Sequence, residues 1–482
     1  FKCMEVGVQF MTPRNIEFAV LSEEKKKGIH EASLALMAEA GLKIEGEKTR
    51  ALLFEHGAKL NNVGLITIPE ELVQKALTSV PKELALYSRS GEQILHIDSS
   101  NAVGYGTHAD NLYLLDPESG LPRKFKRKDI RLMCNVADAL DNVHFVLCVG
   151  LASDVPEKIQ SQISFLDTVR SFGKISNFST NDVQAVEDII EMASIVAGSL
   201  ENLQRKPFVF NYCEPIPPRL HPEESTEKLR ISAEKRIPVV YMPYSMMGGT
   251  APLSLAGSIA QCNADILTGL VISQLAGEGA PYIYGSMPSI MDMGTTIGSY
   301  AAPEFHLCVA AASEMADYYG LPFYGTAACS DARVLDEQAV SEATQQLFST
   351  MLSKANLVHD LGIMEHAKST SPEMVVLADE IIQGLKHYTQ GVEVNEEELA
   401  LELINKVAPG GNYLLEDHTH ANFKNIWYPK LFTREMQPED ASQVRPRIKK
   451  RIREINYKHH VPELELDVLK ELEQWEKLLQ KR

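Results

Sequence analysis

Apolar, β-branched and aromatic runs recur through the middle of the chain and alternate with long segments of helical spacing. Eight such runs occupy 101–107, 142–150, 174–180, 206–215, 237–243, 280–286, 321–327 and 355–362. Continuously apolar strands separated by helices are typical of a parallel sheet that is covered on both faces. Eight units over about 260 residues fit a closed (β/α)8 barrel better than an open sheet. The sequence therefore predicts an α/β fold built on this barrel.

The segments on either side of the eight runs have a different pattern. Short helices and hairpins alternate near the N-terminus, so residues 1–100 are predicted to form an α+β extension. The barrel is assigned to 101–385, and 386–482 to a helical region packed on it. In this last region the basic stretch RPRIKKRIREI precedes an amphipathic tail. No GxGxxG motif follows an early strand, which counts against a dinucleotide-binding fold.

The composition narrows the classes of function. The 482 residues carry a formal net charge of −18, which disfavours a nucleic-acid-binding protein because such proteins need a basic face. No apolar run is long enough to suggest a membrane span. The seven cysteines form no CxxC pair, and the N-terminal stretch lacks the pattern of a signal peptide. We therefore expect a reduced protein in the cytoplasm.

Polar and aromatic side chains follow several of the predicted strands. In a (β/α)8 barrel the active site lies at the carboxyl ends of the strands, so these positions are the candidates for chemistry. The stretch GTAACSDARVLDEQ, 325–338, is notably polar and overlaps the end of the seventh run. The candidates at the ends of the other strands are Tyr105, Thr107, His108, Asp110, Asn111, Asn211, Tyr212, Glu214, Tyr241, Tyr244, Tyr284, Ser286, Met287, His359, Asp360 and Glu365.

The recurrence of tyrosines beside a few acids at these strand ends suggests a site for a cation. A quaternary ammonium group is attracted to the π faces of aromatic rings. For any single tyrosine, ordinary packing remains the alternative explanation. The residues that we assign to substrate binding are Tyr105, His108, Asn211, Tyr244, Tyr284, Ser286 and Glu365.

The consecutive residues Gly248, Gly249 and Thr250 form a second candidate site. A helix is predicted to begin just after them, at Pro252. The backbone N–H groups at a helix N-terminus bind anions, so this turn is a candidate for phosphate or carboxylate binding. A plain helix cap is the alternative, since no GK[ST] sequence follows.

Metal and covalent chemistry find little support in the sequence. The close histidines at 418–420 and 458–460 lack the HExxH spacing, so no metal is expected. Cys329 is a candidate nucleophile, but no base for it is evident, and buried free cysteines are common. A Schiff-base lysine would have to follow a strand, whereas Lys174 and Lys206 precede theirs.

Four stretches of the chain together resemble one enzyme family. They are MPYSMMGGTAPLSLAG (242–257), GEGAPYIYGS (277–286), YGTAACSDARVLDEQA (324–339) and GGNYLLEDHTHANFKNIWYPKLFTRE (410–435). These stretches are similar to the trimethylamine methyltransferase superfamily of corrinoid-dependent enzymes. The resemblance implies a TIM-barrel methyltransferase that moves a methyl group from a methylated amine to the Co(I) of a separate corrinoid protein.

The loop after the seventh strand indicates which branch of this family the chain resembles. Members that use trimethylamine carry pyrrolysine in the corresponding region, whereas this loop reads GTAACSDARVLDEQ. Members without pyrrolysine are similar to glycine betaine, proline betaine, carnitine or γ-butyrobetaine demethylases. A quaternary ammonium already has a neutral tertiary amine as its leaving group and needs no covalent activation. The resemblance therefore implies a substrate of this betaine class.

The resemblance also suggests roles for individual residues. Asp331, Arg333 and His359 are the candidate catalytic residues. Arg333 and the turn 248–250 are assigned to binding the corrinoid (cobalamin), which a cognate corrinoid protein carries. We also expect a homo-oligomer. Two alternatives remain open, namely a trimethylamine-type methyltransferase and a non-catalytic betaine-binding barrel.

Overall fold

The computed structural model of the protein describes residues 18–98, 103–107, 110–353, 355–434 and 444–482. Its N-terminal part mixes helices with short β-hairpins. The elements there are α1 (Glu23–Ala35), a π-helical turn (Leu36–Ala40), β1 (Lys43–Ile44), α2 (Glu47–Glu55), β2 (Lys59–Leu60), β3 (Ile66–Thr67), α3 (Glu70–Ser79), β4 (Leu84–Tyr87) and β5 (Gln93–Ile97).

Strands and helices alternate through the next part of the chain. Eight of its strands form a closed parallel barrel in the order β6-β9-β10-β11-β13-β15-β18-β19, so the predicted (β/α)8 barrel is confirmed. The elements are β6 (Gly104–Thr107), β7 (Tyr113–Leu115), β8 (Pro122–Lys124), α4 (Arg127–Asp138), β9 (Phe145–Leu147), a 3-10 turn (Glu157–Ile159), α5 (Gln160–Ser171), β10 (Ile175–Phe178), α6 (Val183–Ala197), α7 (Leu200–Arg205), β11 (Val209–Cys213), β12 (Leu220–His221), α8 (Glu223–Glu234), β13 (Val239–Tyr241), β14 (Tyr244–Met247), α9 (Leu255–Ala276), β15 (Tyr282–Gly285), β16 (Met287–Met291), β17 (Gly298–Ser299), α10 (Pro303–Tyr319), β18 (Phe323–Thr326), α11 (Glu337–Leu352), β19 (Leu357–Leu361), β20 (Ile363–Met364), β21 (Ser369–Thr370) and α12 (Pro372–Tyr388).

Aromatic side chains fill the interior of the barrel. Phe145, Phe210 and Tyr324 belong to strands that are not neighbours, yet their ring centroids lie 5.6 to 6.0 Å apart, so they meet inside. A Cβ atom added at Gly106 would lie 2.3 Å from the Phe145 ring, which leaves no room for a side chain there. A Cβ atom added at Gly104, the first residue of β6, would lie 2.4 Å from the Leu95 side chain of β5. Leu95 therefore packs against the same interior face of β6. The amino-terminal end of the barrel is therefore closed by the hairpin β4–β5.

A small three-stranded sheet lies over the other end of the barrel, which we call the mouth. β14 pairs in parallel with β16, and β16 pairs antiparallel with β17. β14 and β16 continue from the carboxyl ends of the barrel strands β13 and β15, which places this sheet at the mouth. The turns that flank this sheet expose two apolar side chains, Met293 at 65% and Leu253 at 59%.

Helix α9 is long and apolar enough to cross a membrane by its length and composition alone. The most apolar 18-residue stretch of it is 78% buried within the protein. Its neighbours are α1, α3, α8 and barrel strands, which cover it on several sides. Packing inside the fold thus accounts for its apolar sequence.

The C-terminal part adds helices to the outside of the barrel. Ile448 and Ile452 of α16 are buried where this helix packs on α4 and α12. Glu476 of α17 forms ion pairs with Arg127 and Arg170 at 2.6 and 2.7 Å. The elements are α13 (Glu396–Leu399), α14 (Leu401–Lys406), α15 (Asp417–Asn422), a 3-10 turn (Phe423–Asn425), α16 (Val444–Lys458) and α17 (Leu466–Leu479).

Candidate functional site

Three aromatic rings lie together inside the barrel, on the strands β11, β18 and β19. The ring centroids of Tyr324 and His359 are 4.6 Å apart, and Tyr212 lies 6.1 Å from each of them. The Tyr324 hydroxyl donates a hydrogen bond of 3.0 Å to Asn177 on β10. The His359 Nδ1 lies 2.7 Å from the carbonyl oxygen of Gly325. The rings are therefore held in place and face the interior of the barrel.

A second aromatic pair belongs to the sheet that covers the mouth. Tyr244 begins β14, and Tyr300 follows β17 directly. Their rings are stacked, with centroids 5.9 Å apart and planes inclined by 17°. Burial is the main reason that the pKa of Tyr300 lies well above its usual value, and Tyr244 and Asp360 add to the shift. Asp360 at the end of β19 therefore lies near enough to Tyr300 to act on it electrostatically.

Glu214 brings a carboxyl group to the end of β11. The residue is exposed to solvent by its surface area, although many protein atoms surround its carboxyl group. Burial, followed by the negative charge of Asp110, raises the pKa of Glu214 to about 7. The Tyr212 hydroxyl donates a hydrogen bond of 3.2 Å to Glu214 Oε2. A cation placed beside such a carboxyl group strongly stabilises its ionised form.

Asp360 supplies a second carboxylate at the end of β19. Its φ angle is +81°, a conformation that side-chain-bearing residues rarely adopt and that is found at functional sites. The Thr326 hydroxyl donates a short hydrogen bond to Asp360 Oδ2, and the Cys329 thiol lies 3.8 Å from the same oxygen. His359 Nε2 lies 3.1 Å from Asp360 Oδ1. The Asp360 carboxylate thus contacts side chains of β18, of the loop after it and of β19 itself.

Asp331, in the loop after β18, acts on the aromatic pair through the backbone. Its Oδ1 accepts a hydrogen bond of 2.9 Å from the Tyr300 N–H, and its Oδ2 accepts one from the Ser299 hydroxyl. His366 Nδ1 lies 3.0 Å from the same carboxylate. Asp331 therefore fixes the turn that presents Tyr300 to Tyr244. The contacts of its carboxylate in the described structure are thus with Ser299, Tyr300 and His366.

Arg333 lies on the rim of the mouth. Its Nε donates a hydrogen bond of 3.1 Å to Glu365 Oε1, while 79% of its side chain is exposed. Glu365 is only 16% exposed, so it anchors the arginine from below. Most of the Arg333 side chain is therefore in contact with solvent.

Four residues assigned to substrate binding from the sequence point away from the barrel interior, which corrects those assignments. The Tyr284 hydroxyl bonds to Asn263 of α9, and the Asn211 amide bonds to Ser232 of α8. Ser286 lies beside the Cys262 thiol of α9. The Tyr105 side chain also points away from the interior, because the glycines on both sides of it face the interior. Side chains alternate along a strand, so these four face the surrounding helices.

The other residues assigned from the sequence include two at the rim of the mouth and three in a turn whose N–H groups are already hydrogen-bonded. Tyr244 and Glu365 lie at the mouth, and His108 lies outside the described residues. The backbone N–H groups of Gly248, Gly249 and Thr250 all donate to carbonyl oxygens within their own turn. Helix α9 begins only at Leu255, so this turn is not at a helix N-terminus. The predicted anion site there is therefore not supported, since its donors are already used.

Several residues of the site were not selected from the sequence. Tyr212, Glu214 and Asp360 stand at predicted strand ends without an assigned binding role, and the sequence pattern gives no signal for Tyr300 or Tyr324. Since Asn211 faces a helix, alternation along β11 would have pointed to its neighbour Tyr212. In the described parts of the chain, no group of three His, Cys, Asp or Glu side chains is placed to hold a metal ion.

Comparison with known proteins identifies the family. A family model described as "Trimethylamine methyltransferase (MTTB)" matches residues 3–480. The glycine betaine methyltransferase of Desulfitobacterium hafniense (strain Y51) is 29% identical over 419 residues, which cover 86% of this chain and 86% of that protein. The trimethylamine methyltransferase MttB of Desulfitobacterium hafniense (strain DSM 10664 / DCB-2) is also 29% identical, over 425 residues that cover 87% of this chain and 84% of that protein.

A solved structure supports the same fold. The crystal structure of the Methanosarcina barkeri monomethylamine methyltransferase MtmB superposes with a TM-score of 0.56 at 11% identity, covering 91% of this chain and 89% of that one. At such low identity the likeness concerns the barrel architecture alone. The family model, by contrast, spans nearly the whole sequence. The protein therefore belongs to the trimethylamine methyltransferase (MTTB) family and is a methyltransferase.

Proposed function

We propose that the protein transfers a methyl group from a quaternary amine of the betaine class to a corrinoid carried by a partner protein. The main support is the set of aromatic rings at this end of the barrel, Tyr212 beside Glu214 and Tyr244 stacked on Tyr300, with Asp360 acting electrostatically on both Tyr212 and Tyr300. Aromatic faces and carboxylates both attract a permanent cation. Enclosure strengthens this attraction, because water screens the charges less than it would at an open surface.

The charges of the site suggest how a betaine would be oriented. Its ammonium group fits the acidic and aromatic interior, whereas its carboxylate would be repelled there. Arg333 and His366 lie at the rim, the first of them largely exposed. A betaine is therefore expected to bind with its methyl groups inside and its carboxylate towards these two bases.

The protein's own residues would position the substrate and exclude water. A corrinoid in its Co(I) form supplies the nucleophile that accepts the methyl group. Alignment of the nitrogen, the methyl carbon and the acceptor requires no general base from the protein. The rim fits such a partner, since Arg333 offers an exposed side chain and Met293 and Leu253 offer apolar surface. These groups match a macrocycle with apolar faces and amide-bearing edges.

The first prediction tests the substrate class. Purified protein should methylate free cob(I)alamin when given glycine betaine, proline betaine, carnitine or γ-butyrobetaine, and not when given trimethylamine. The reason is that only a quaternary amine releases a neutral tertiary amine without further activation. The reaction is followed by the visible spectrum of the corrinoid. Trimethylamine as the better methyl donor would favour the trimethylamine-type alternative and contradict the proposal.

The second prediction concerns Arg333. The Arg333→Lys variant should require about fivefold more cob(I)alamin for half-maximal rate, because lysine keeps the charge but loses the fixed donor geometry. Its melting temperature should stay near that of the parent, since lysine keeps the positive charge and the ion pair of the largely exposed Arg333 contributes little stability. Rates measured across a range of cob(I)alamin concentrations, at saturating betaine, check this expectation.

Glu365→Gln is the matched control, because it removes the anchor of Arg333 and leaves the guanidinium in place. It should change the cob(I)alamin dependence less than Arg333→Lys does. An unchanged cob(I)alamin dependence in Arg333→Lys would remove this arginine from the corrinoid site.

A further inference from the structure

A polar cavity of about 590 Å³ lies outside the barrel, where helices α4 and α5 meet the segment that joins α16 to α17. Its volume is within the range of about 300–1,000 Å³ that is usual for small-molecule sites. Ser171, the last residue of α5, lines it. Helices of a parallel barrel run opposite to its strands, so α5 ends at the closed end of the barrel. The cavity is therefore separate from the mouth.

The charges on the lining of this cavity differ in sign from the charge of the whole protein. The chain carries a net charge of −18. Of the ten described residues that line the cavity, however, four are arginine or histidine and one, the exposed Glu463, is acidic. The four are Arg131 of α4, Arg170 of α5, and His459 and His460 of the joining segment. This lining favours an anion.

Three arginines at this place share two carboxylates. Arg127 lies 2.6 Å from Asp167 and 2.6 Å from Glu476. Arg131 lies 3.3 Å from Asp167, and Arg170 lies 2.7 Å from Glu476. A guanidinium group stays protonated in proteins, whereas each carboxylate carries a single negative charge. The five side chains together therefore keep one positive charge beside the cavity.

Much of the hydrogen-bonding capacity of the two lining arginines is unused. Within the described residues, Arg131 donates through one terminal nitrogen to Asp167, and Arg170 donates through one terminal nitrogen to Glu476. Each guanidinium thus keeps its Nε and its other terminal nitrogen for a further acceptor. Since 17% of the Arg170 side chain is exposed and this residue lines the cavity, its free donors are accessible from there.

The wall that the C-terminal segment supplies adds further donors. Asn456 Oδ1 accepts a hydrogen bond of 3.2 Å from Asn135, so the Asn456 amide N–H groups remain available. His460 is exposed and lines the cavity. His459 is already engaged, because its Nε2 lies 2.8 Å from Asp138 Oδ2. An anion in the cavity would therefore contact both the barrel helices and the C-terminal segment.

A phosphate group fits this set of donors better than a carboxylate does. A guanidinium group binds either anion through two parallel N–H bonds. A phosphate ester carries about two negative charges at neutral pH and has three acceptor oxygens, so two arginines and another donor can bind it together. The two oxygens of a carboxylate would leave more of these donors unused. Leu132 and Val461 also line the cavity and offer apolar contacts to an organic group.

We propose that this cavity binds a small organic phosphate, with Arg131 and Arg170 as the main ligands and Asn456 and His460 as further donors. Because the cavity lies away from the mouth, the phosphate should not compete with the quaternary amine. Its main effect should be on stability, since it joins α4 and α5 to the segment that precedes α17. The inference does not depend on the proposed methyl transfer.

Isothermal titration of the full chain with inorganic phosphate, at constant ionic strength, tests the proposal. The parent should bind phosphate, and Arg131→Gln should bind it about tenfold more weakly, because charge-assisted hydrogen bonds are lost. Lys128→Gln is the matched control and should bind like the parent, since Lys128 is an exposed base of the same helix outside the cavity lining. Glu463→Gln should bind about threefold more tightly, because a like charge is removed.

Melting temperatures provide a second readout. Saturating phosphate should raise the melting temperature of the parent and of Lys128→Gln more than that of Arg131→Gln, because a ligand of the folded state stabilises it. Without phosphate, Arg131→Gln should melt near the parent, since 61% of the Arg131 side chain is exposed. A parent that does not bind phosphate, or equal affinities in Arg131→Gln and Lys128→Gln, would overturn the proposal.

Two further ligands test the chemical class. Glycerol 3-phosphate should bind at least as tightly as inorganic phosphate, because its organic part can contact Leu132 and Val461. Acetate should bind more weakly than phosphate. Acetate that binds as tightly would overturn the assignment to a phosphate, and weaker binding of glycerol 3-phosphate would overturn the assignment to an organic ligand.

Discussion

Replacing Glu214 by glutamine is expected to weaken binding of a quaternary amine about thirtyfold above pH 8 and to leave it almost unchanged at pH 5. The pKa of Glu214 is raised to about 7, so the parent carries this negative charge only at higher pH. A nearby carboxylate in an enclosed site is worth about 2 kcal/mol to a cation, which is about thirtyfold. The parent's affinity should therefore rise with pH through 7, while that of Glu214→Gln stays flat.

The same substitution should affect stability in the opposite sense. The pKa of Glu214 in the folded protein is higher than the ordinary glutamate pKa of 4.5, which applies to the unfolded state. The folded state therefore keeps this proton up to a higher pH than the unfolded state does. This group therefore lowers the stability as the pH rises from about 4.5 through 7. Glu214→Gln should melt at a higher temperature than the parent at pH 8. Glu223→Gln, an exposed acid at the start of α8, is the control and should change neither property.

Replacing Asp331 by asparagine should reduce methyl transfer about tenfold and lower the free energy of unfolding by about 2 kcal/mol. The carboxylate accepts charge-assisted hydrogen bonds from the Ser299 hydroxyl and the Tyr300 N–H, and such bonds contribute about 1.5–3 kcal/mol each. An amide weakens both of them and releases the turn that carries Tyr300. Hydrogen exchange at the Tyr300 amide should therefore become faster, and betaine affinity should fall with it.

Asp336→Asn provides the control from the same loop. Asp336 caps helix α11 by accepting a hydrogen bond from the Ala339 N–H, and asparagine caps a helix as well as aspartate does. Its stability and activity should stay close to those of the parent. If Asp331→Asn exchanges at Tyr300 no faster than Asp336→Asn, Asp331 does not position the aromatic pair.

The sequence predicts the barrel well but not the direction of its side chains. The eight apolar runs each supply one barrel strand, because a strand buried on both faces needs an unbroken apolar stretch. The same unbroken apolar stretch does not indicate which side chains face the barrel interior and which face the helices, because polar and apolar residues no longer alternate along the strand. Tyr105 and Tyr284 were chosen for their place at strand ends and turned out to face helices, whereas Tyr212 faces the interior.

Contacts between distant parts of the chain were harder to predict. Tyr300 reaches the site because Asp331, 31 residues later, holds its backbone N–H. The sheet of β14, β16 and β17 arises from strand pairs whose local sequences, such as MPSIM, show no clear strand pattern. The turn at Gly248 likewise folds as part of this sheet and not as the start of α9. In each case the decisive partner lies far away in sequence, where local spacing carries no information.

Closure of the barrel's amino-terminal end by Leu95 has a kinetic consequence. With that end filled, a small molecule in the space beside Tyr212 and Tyr324 can enter and leave only through the opening that the methyl acceptor must also use. In the proposed reaction the amine must then bind first, and the demethylated product must wait until the acceptor has departed. Steady-state rates should follow a compulsory-order pattern, and a high concentration of acceptor should inhibit by trapping the empty enzyme.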